Sequence, residues 1–171
     1  MKLTRKRDIF RPNAILDTIF EITPEFMQAQ HLRALLLDLD NTLIPYKSFE
    51  EAPHVIGWAT ALLESGIQMR ILSNALPKRV EFWCHRLNFP GVGLASKPFP
   101  KAFRQAIEEL GVQSKHVAMV GDQLFTDILG GNLAGAFTIM VRPLSENALP
   151  HTRLARKMER FVLKKLDLHS P

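Results

Sequence analysis

The sequence contains a single cysteine, Cys84, which excludes an internal disulfide and any zinc site built on paired cysteines. Its six histidines, at 31, 54, 85, 116, 151 and 169, fall in no metal-ligand spacing. Long apolar runs are also missing. No window approaches the ~18 residues that a membrane-spanning helix requires, and the first apolar stretch after the basic start is cut by Pro12 and Asp17. Neither a spanning segment nor a cleavable signal is expected, and a reducing cytoplasm is the default setting. What is present is a globular composition: 171 residues, 46% apolar and 23% charged. A chain of this length forms one domain and buries roughly two thirds of its unfolded surface.

The formal charge of +5 is unevenly spread. Residues 1–11 carry Lys2, Arg5, Lys6, Arg7 and Arg11 against Asp8; residues 151–171 carry Arg153, Arg156, Lys157, Arg160, Lys164 and Lys165 against Glu159 and Asp167. Each end is therefore +4, leaving −3 for residues 12–150. An anionic surface, such as the inner face of a membrane touched peripherally, should be met by the ends; the plainer reading of the last helix is a terminal helix packed on the sheet with a solvated basic face. Neither end interleaves aromatic residues as a base-stacking platform would, so RNA or ribosome binding is the weaker alternative.

From Arg33 to Val141 short apolar runs alternate with helix-period segments, the pattern of a parallel α/β sheet. Strands are expected at 33–38, 67–72, 91–94, 117–121 and 137–141. Helices are expected from Pro24 behind Thr23, from Pro53 to Ser65 with a stop at Gly66, over 77–88, and over 100–110 with a stop at Gly111. A further helix over 124–134 is weakened by Gly130 and Gly131. The last, 153–167, puts Leu154, Met158, Phe161, Val162 and Leu166 on one stripe with cations around it.

The first main strand ends in Asp38, followed by Asp40, Asn41 and Thr42; the fourth ends in Gly121-Asp122, with Asp127 five residues on. Acids at the carboxyl ends of buried parallel strands sit where open α/β sheets form their ligand crevice. If the two strands are neighbours, the acids converge, and two unit charges about 4 Å apart repel by roughly 4 kcal/mol at an effective dielectric of about 20. A cation relieves that cost, and an oxygen-only donor set suits Mg²⁺. The second strand ends in Ser73-Asn74, offering a hydroxyl and amides for a phosphate oxygen, and Lys97 follows the third.

These residues resemble the motifs of the haloacid dehalogenase (HAD) superfamily of phosphohydrolases. Asp38-Leu39-Asp40-Asn41-Thr42 matches its DxDxT motif, Ser73 the second motif, Lys97 the third, and Gly121-Asp122 through Asp127 the GDxxxxD fourth. The words around Ser73-Asn74, Arg79-Val80 and Gly130-Gly131-Asn132 are similar to those of YqeG-type subfamily IIIA phosphatases, a branch similar in turn to phosphatidylglycerophosphate phosphatases. The resemblance implies a Rossmann-like five-stranded sheet of order 5-4-1-2-3 with helices on both faces. It also implies Asp38 as nucleophile, forming an aspartyl-phosphate, and Asp40 as proton donor and then base. Ser73, Asn74 and Lys97 would bind phosphate. Asp38, the backbone carbonyl of Asp40, and Asp122 would hold Mg²⁺, with Asp127 as a further ligand or an ordering acid.

About thirty residues separate Thr42 from Ser73 and about twenty-four separate Ser73 from Lys97, too few for a cap domain. Residues 1–171 thus read as one capless domain with basic ends. An open site favours a phosphate ester that brings its own surface. The expected substrate is a lipid phosphate, phosphatidylglycerophosphate, with another phosphate ester, a soluble metabolite or phosphoprotein, as the alternative.

Overall fold

The computed structural model describes residues 8–145, 150–166 and 168. Six strands, β1 (Ala14–Leu16), β2 (Ala34–Leu37), β3 (Gln68–Leu72), β4 (Gly91–Val92), β5 (Val117–Gly121) and β6 (Phe137–Val141), form one wholly parallel sheet of order β1-β6-β5-β2-β3-β4. β2 is central, and all four of its residues are fully buried, as a strand covered on both faces must be. The five expected strands take the expected order. The sixth, β1, is an addition at the edge. Asn13 sets it there: its backbone N–H donates to Thr138 O at 2.8 Å and its side-chain Oδ1 accepts from Thr138 N at 2.9 Å.

Helices α1 (Pro24–Ala29), α2 (Pro53–Glu64), α3 (Pro77–Leu87), α4 (Pro100–Leu110), α5 (Leu129–Ala134) and α6 (Pro150–Lys165) complete the domain. Leu35 and Leu37 of β2 meet a core that includes Met27, Val55, Leu62 and Trp83, while Ala34 and Leu36 face a second core around Phe103, Ile107 and Leu110. Proline opens the first four helices, and Gly66 and Gly111 follow α2 and α4 with φ of +82° and +64°. Thr23 caps α1 through its hydroxyl, which accepts from Phe26 N. By contrast α3 and α4 begin behind Leu76 and Phe99, apolar caps that forgo about 1 kcal/mol each relative to Ser or Asp.

Two segments differ from expectation. Residues 124–134 are a π-helical turn, Leu124–Ile128, running into α5. Gly130 and Gly131 there are contact points: a Cβ would lie 2.3 Å from the Phe103 ring at the first and 2.7 Å from Thr138 at the second. In α6 the inward residues are Glu159 and Leu163, whereas Met158 and Phe161 of the expected stripe are exposed. The rotation follows from Glu159, whose carboxylate accepts from Phe125 N at 3.3 Å, and from Leu163, which packs on Leu124, Ile128 and Met140. The side chains of Leu154, Arg153 and Arg156, and residues 1–7 with four of the N-terminal cations, lie outside the described residues.

Candidate active site

The site forms where β2 and β5, paired from Ala34↔Val117 to Leu37↔Val120, end side by side. Asp38 N still donates to Val120 O at 2.9 Å, so the nucleophile candidate is fixed by the last rung of the sheet. Beyond it the chain turns sharply through Asn41, at φ 64°, and Leu43 and Ile44 both donate back to Leu39 O. This turn brings Thr42 Oγ1 within 3.4 Å of Asp38 Oδ2 and 3.5 Å of Asp122 Oδ1.

On the β5 side the π-helical turn folds Asp127 back against the strand end. A Cβ on Gly121 would lie 2.2 Å from Asp127 Oδ2, so only glycine permits the approach. Gln123 N donates to that same oxygen at 3.1 Å. Asp38, Asp122 and Asp127 are all buried, and one carboxylate oxygen from each lies within 4.8 Å of the others.

Lys97 enters from the loop after β4. Its Nζ donates to Asp38 Oδ1 at 2.7 Å and to Asp127 Oδ1 at 2.6 Å, with 2% of the side chain exposed. Burial alone would push the ammonium toward its neutral form, but Asp127 and Asp38 together hold its pKa above the ordinary lysine value. Burial, and then the neighbouring Asp127, raise Asp38 to about 6 against the pull of Lys97. Among these four groups, three carboxylates and one ammonium leave a formal excess of two negative charges, which one divalent cation balances.

Asp40 stands apart from that cluster. Its carboxylate takes Arg79 of α3, with Nη2 at 2.7 Å and Nε at 3.0 Å from Oδ1, and also accepts Lys47 N at 3.1 Å. Arg79 donates through Nη1 to Ser48 O at 2.6 Å, and its guanidinium lies 4.9 Å from the Phe49 ring centre. The arginine therefore pins the 45–49 loop and the candidate acid-base group to α3. Its role was not visible in the sequence, where Arg79 stood only as a word beside Ser73-Asn74; an arginine on a charged helix gives no sign of a partner in another loop.

Ser73, 2% exposed at the end of β3, accepts Ala75 N on its hydroxyl at 3.2 Å. The Asn74 side chain is occupied structurally: Oδ1 accepts from Lys97 N at 2.8 Å and Nδ2 donates to Lys97 O at 3.2 Å. It locks the lysine's backbone in place.

The match to known proteins agrees with this architecture. The HAD-hydrolase-like family profile matches residues 94–166. The protein named "Probable phosphatase YqeG" from Bacillus subtilis (strain 168) is 35% identical over 160 residues, covering 94% of this chain and 93% of that one. The chain belongs to the haloacid dehalogenase superfamily, in its YqeG-type branch. Phosphatidylglycerophosphate phosphatase 1 of Arabidopsis thaliana is 26% identical over 95% of this chain, which spans 50% of that longer protein. Among solved HAD-type folds, the 3-deoxy-D-manno-octulosonate 8-phosphate phosphatase of Moraxella catarrhalis, in complex with magnesium, phosphate and a KDO molecule, superposes with a TM-score of 0.50 at 19% identity. It covers 82% of this chain and 91% of that one.

The HAD cluster fits a divalent cation by the chemistry of its donors, which are carboxylate oxygens in a buried space already balanced on one side by Lys97. Removing metal has a predictable pH signature. Asp38 has a folded pKa above its unfolded one, so its contribution to stability is fully present below about pH 4 and is lost as pH rises through about 6. The metal-free protein should therefore melt higher near pH 5 than near pH 7 as far as this group decides it, while Mg²⁺ stabilises increasingly over the same interval. At a hundredfold excess over its dissociation constant the cation adds about 2.7 kcal/mol. Scanning calorimetry with chelator and with excess Mg²⁺ at both pH values checks this; a Mg²⁺ shift that does not grow with pH would contradict the assignment.

Proposed function

We propose that this phosphatase is a Mg²⁺-dependent phosphomonoesterase that hydrolyses phosphatidylglycerophosphate at a membrane surface through an aspartyl-phosphate. The observation that carries the lipid reading is that no cap domain is inserted between the motifs. Between Thr42 and Ser73 the chain provides only a loop, α2 and β3, and between Ser73 and Lys97 only α3 and β4, all belonging to the sheet and its covering layers. Among the described residues no inserted cap domain covers the strand ends, and a substrate embedded in its own surface can present its phosphate there. The likeness to the Arabidopsis phosphatidylglycerophosphate phosphatase, which spans 95% of this chain, supports the same choice.

In this reading Asp38 attacks phosphorus in line with the departing oxygen, and its carboxylate becomes the phosphoryl carrier. Lys97 neutralises charge on the carboxylate and the transferring group. Asp40 gives a proton to the departing alkoxide, then takes one from the water that hydrolyses the intermediate, with Arg79 orienting its carboxylate between turnovers. Ser73 and the Asn74 amide hold phosphate oxygens. The metal would be held by Asp38, Asp122 and the Asp40 carbonyl, with Asp127 beside them, and supplies charge stabilisation when bound.

Side-by-side hydrolysis of phosphatidylglycerophosphate in vesicles and a panel of soluble phosphate esters tests the substrate. Preference for the lipid is expected, and a soluble ester turned over with higher kcat/KM would overturn it. The exposed cations of α6, Lys157, Arg160, Lys164 and Lys165, would contribute to docking, each by up to about 1 kcal/mol at an anionic surface. Changing all four to Gln should weaken vesicle binding most at low salt and leave hydrolysis of a soluble aryl phosphate unchanged, as read by sedimentation and a colour assay. No helix among the described residues is long and apolar enough to cross a membrane, so docking in this reading is peripheral.

A further inference from the structure

We propose that the loops beside the catalytic mouth form a bilayer-inserting rim, with Leu76, Leu94 and Phe99 as the side chains that enter the lipid interface. The inference rests on the lipid-phosphate reading and names the surface that brings the enzyme to that substrate. All three residues lie close to catalytic candidates: Leu76 is three residues beyond Ser73, while Leu94 and Phe99 flank Lys97. They are 68%, 58% and 70% exposed.

Local structure works against all three. Leu76 and Phe99 occupy the capping positions of α3 and α4, where a short polar side chain would bond the first free N–H groups of the helix. Leu94 has φ +49°, in the left-handed region that favours Gly or Asn. Each position thus carries a residue that costs local stability and also exposes a large apolar group to water. Folding explains neither choice. A binding role at the mouth explains both.

The loops form a firm platform. Leu94 N donates to Ala75 O at 2.9 Å, the Asn74 side chain clasps Lys97, and a Cβ on Gly93 would collide with Ala75 O at 2.7 Å. Across the mouth, exposed Phe49 lies on Arg79, and exposed Leu144 donates its N–H to Asn41 O at 3.0 Å. Exposed cations alternate with these apolar tips: Lys78 two residues after Leu76, Lys101 two after Phe99, and Lys47 two before Phe49. Glu50 and Glu51 are the exposed acids of the same loops. Apolar tips with lysines set close behind them match an anionic bilayer, whose acyl boundary takes the former and whose headgroups take the latter.

The test is the triple variant Leu76→Ser, Leu94→Asn, Phe99→Ser, in which every exchange suits its backbone position. Its melting temperature should equal or exceed that of the wild type, and hydrolysis of a soluble aryl phosphate should be unchanged. Sedimentation with phosphatidylglycerol-containing vesicles should weaken at least about tenfold, with loss of activity on vesicle-borne lipid in parallel. Phe99→Ser alone is measured alongside, so that a folding defect in the triple variant does not decide the matter. Undiminished vesicle binding by both variants overturns the rim. A wild-type dimer that ignores vesicles and falls apart on these exchanges also overturns it, since a second copy then covers the surface. A wild type that binds vesicles through these residues but hydrolyses no lipid phosphate in vesicles or detergent upholds the rim and removes the substrate reading.

Discussion

Asp38→Asn is expected to abolish turnover of an alkyl phosphate, by about 10⁵-fold or more, while leaving a protein that is at least as stable as the wild type without metal. The loss follows from the proposed role of Asp38 as the group that accepts the phosphoryl group. The stability gain follows from burial: charging Asp38 is disfavoured up to about pH 6, against 3.8 in the unfolded chain, so a neutral amide avoids a penalty of up to about 3 kcal/mol at neutral pH. The amide oxygen can still accept from Lys97 Nζ. Asp40→Asn should behave differently, lowering alkyl-phosphate turnover by about 10²–10⁴-fold but sparing phosphoenzyme formation from an activated aryl phosphate, whose leaving group needs little protonation. Rapid-quench measurement of phosphoenzyme in both variants separates the roles; equal formation in the two would refute them.

Lys97→Met should cost about 3–5 kcal/mol in the metal-free protein, because it leaves Asp38 and Asp127 facing each other in a buried space with their shared ammonium gone. For a domain of this size that corresponds to a fall in melting temperature of roughly 10 °C. Two treatments should restore part of it: Mg²⁺, by replacing positive charge, and acid, by protonating a carboxylate. Activity should stay absent under both, since neither reproduces an ammonium at the Asp38 carboxylate. A metal-free melting temperature within about 2 °C of the wild type would show that Lys97 does not hold the cluster together.

How far the sequence disclosed these parts follows from the range of the interactions involved. Strands buried on both faces, such as Ala34–Leu37 and Val117–Gly121, announce themselves as apolar runs, and Pro and Gly mark the helix ends because backbone sterics act locally. β1 was missed because three half-buried residues carry little pattern of their own; what makes them a strand is Asn13 reaching Thr138, 125 residues away. The rotation of α6 escapes the sequence for a related reason: Glu159 reads as a solvent residue, and contacts such as that with Phe125 N, 34 residues away, turn it inward. In the site, the ends of the apolar runs and the resemblance single out Asp38, Lys97, Asp122 and Asp127, and the fold brings these four together. Neither the hold of Arg79 on Asp40 nor the service of Asn74 to the Lys97 backbone could be read without coordinates, because both join loops with no common sequence period.

The contact between Gly121 and Asp127 constrains how this sequence can change over generations. A Cβ at 121 would meet not only the Asp127 carboxyl but also its Cβ, at 2.4 Å, so shortening the acid to alanine gives no relief. A side chain can arrive at 121 only if the turn that carries Asp127 shifts, and that shift moves the acid that Lys97 grips. A descendant bearing alanine at 121 would therefore carry a rebuilt 121–127 turn, with the Asp127 carboxylate moved relative to Lys97.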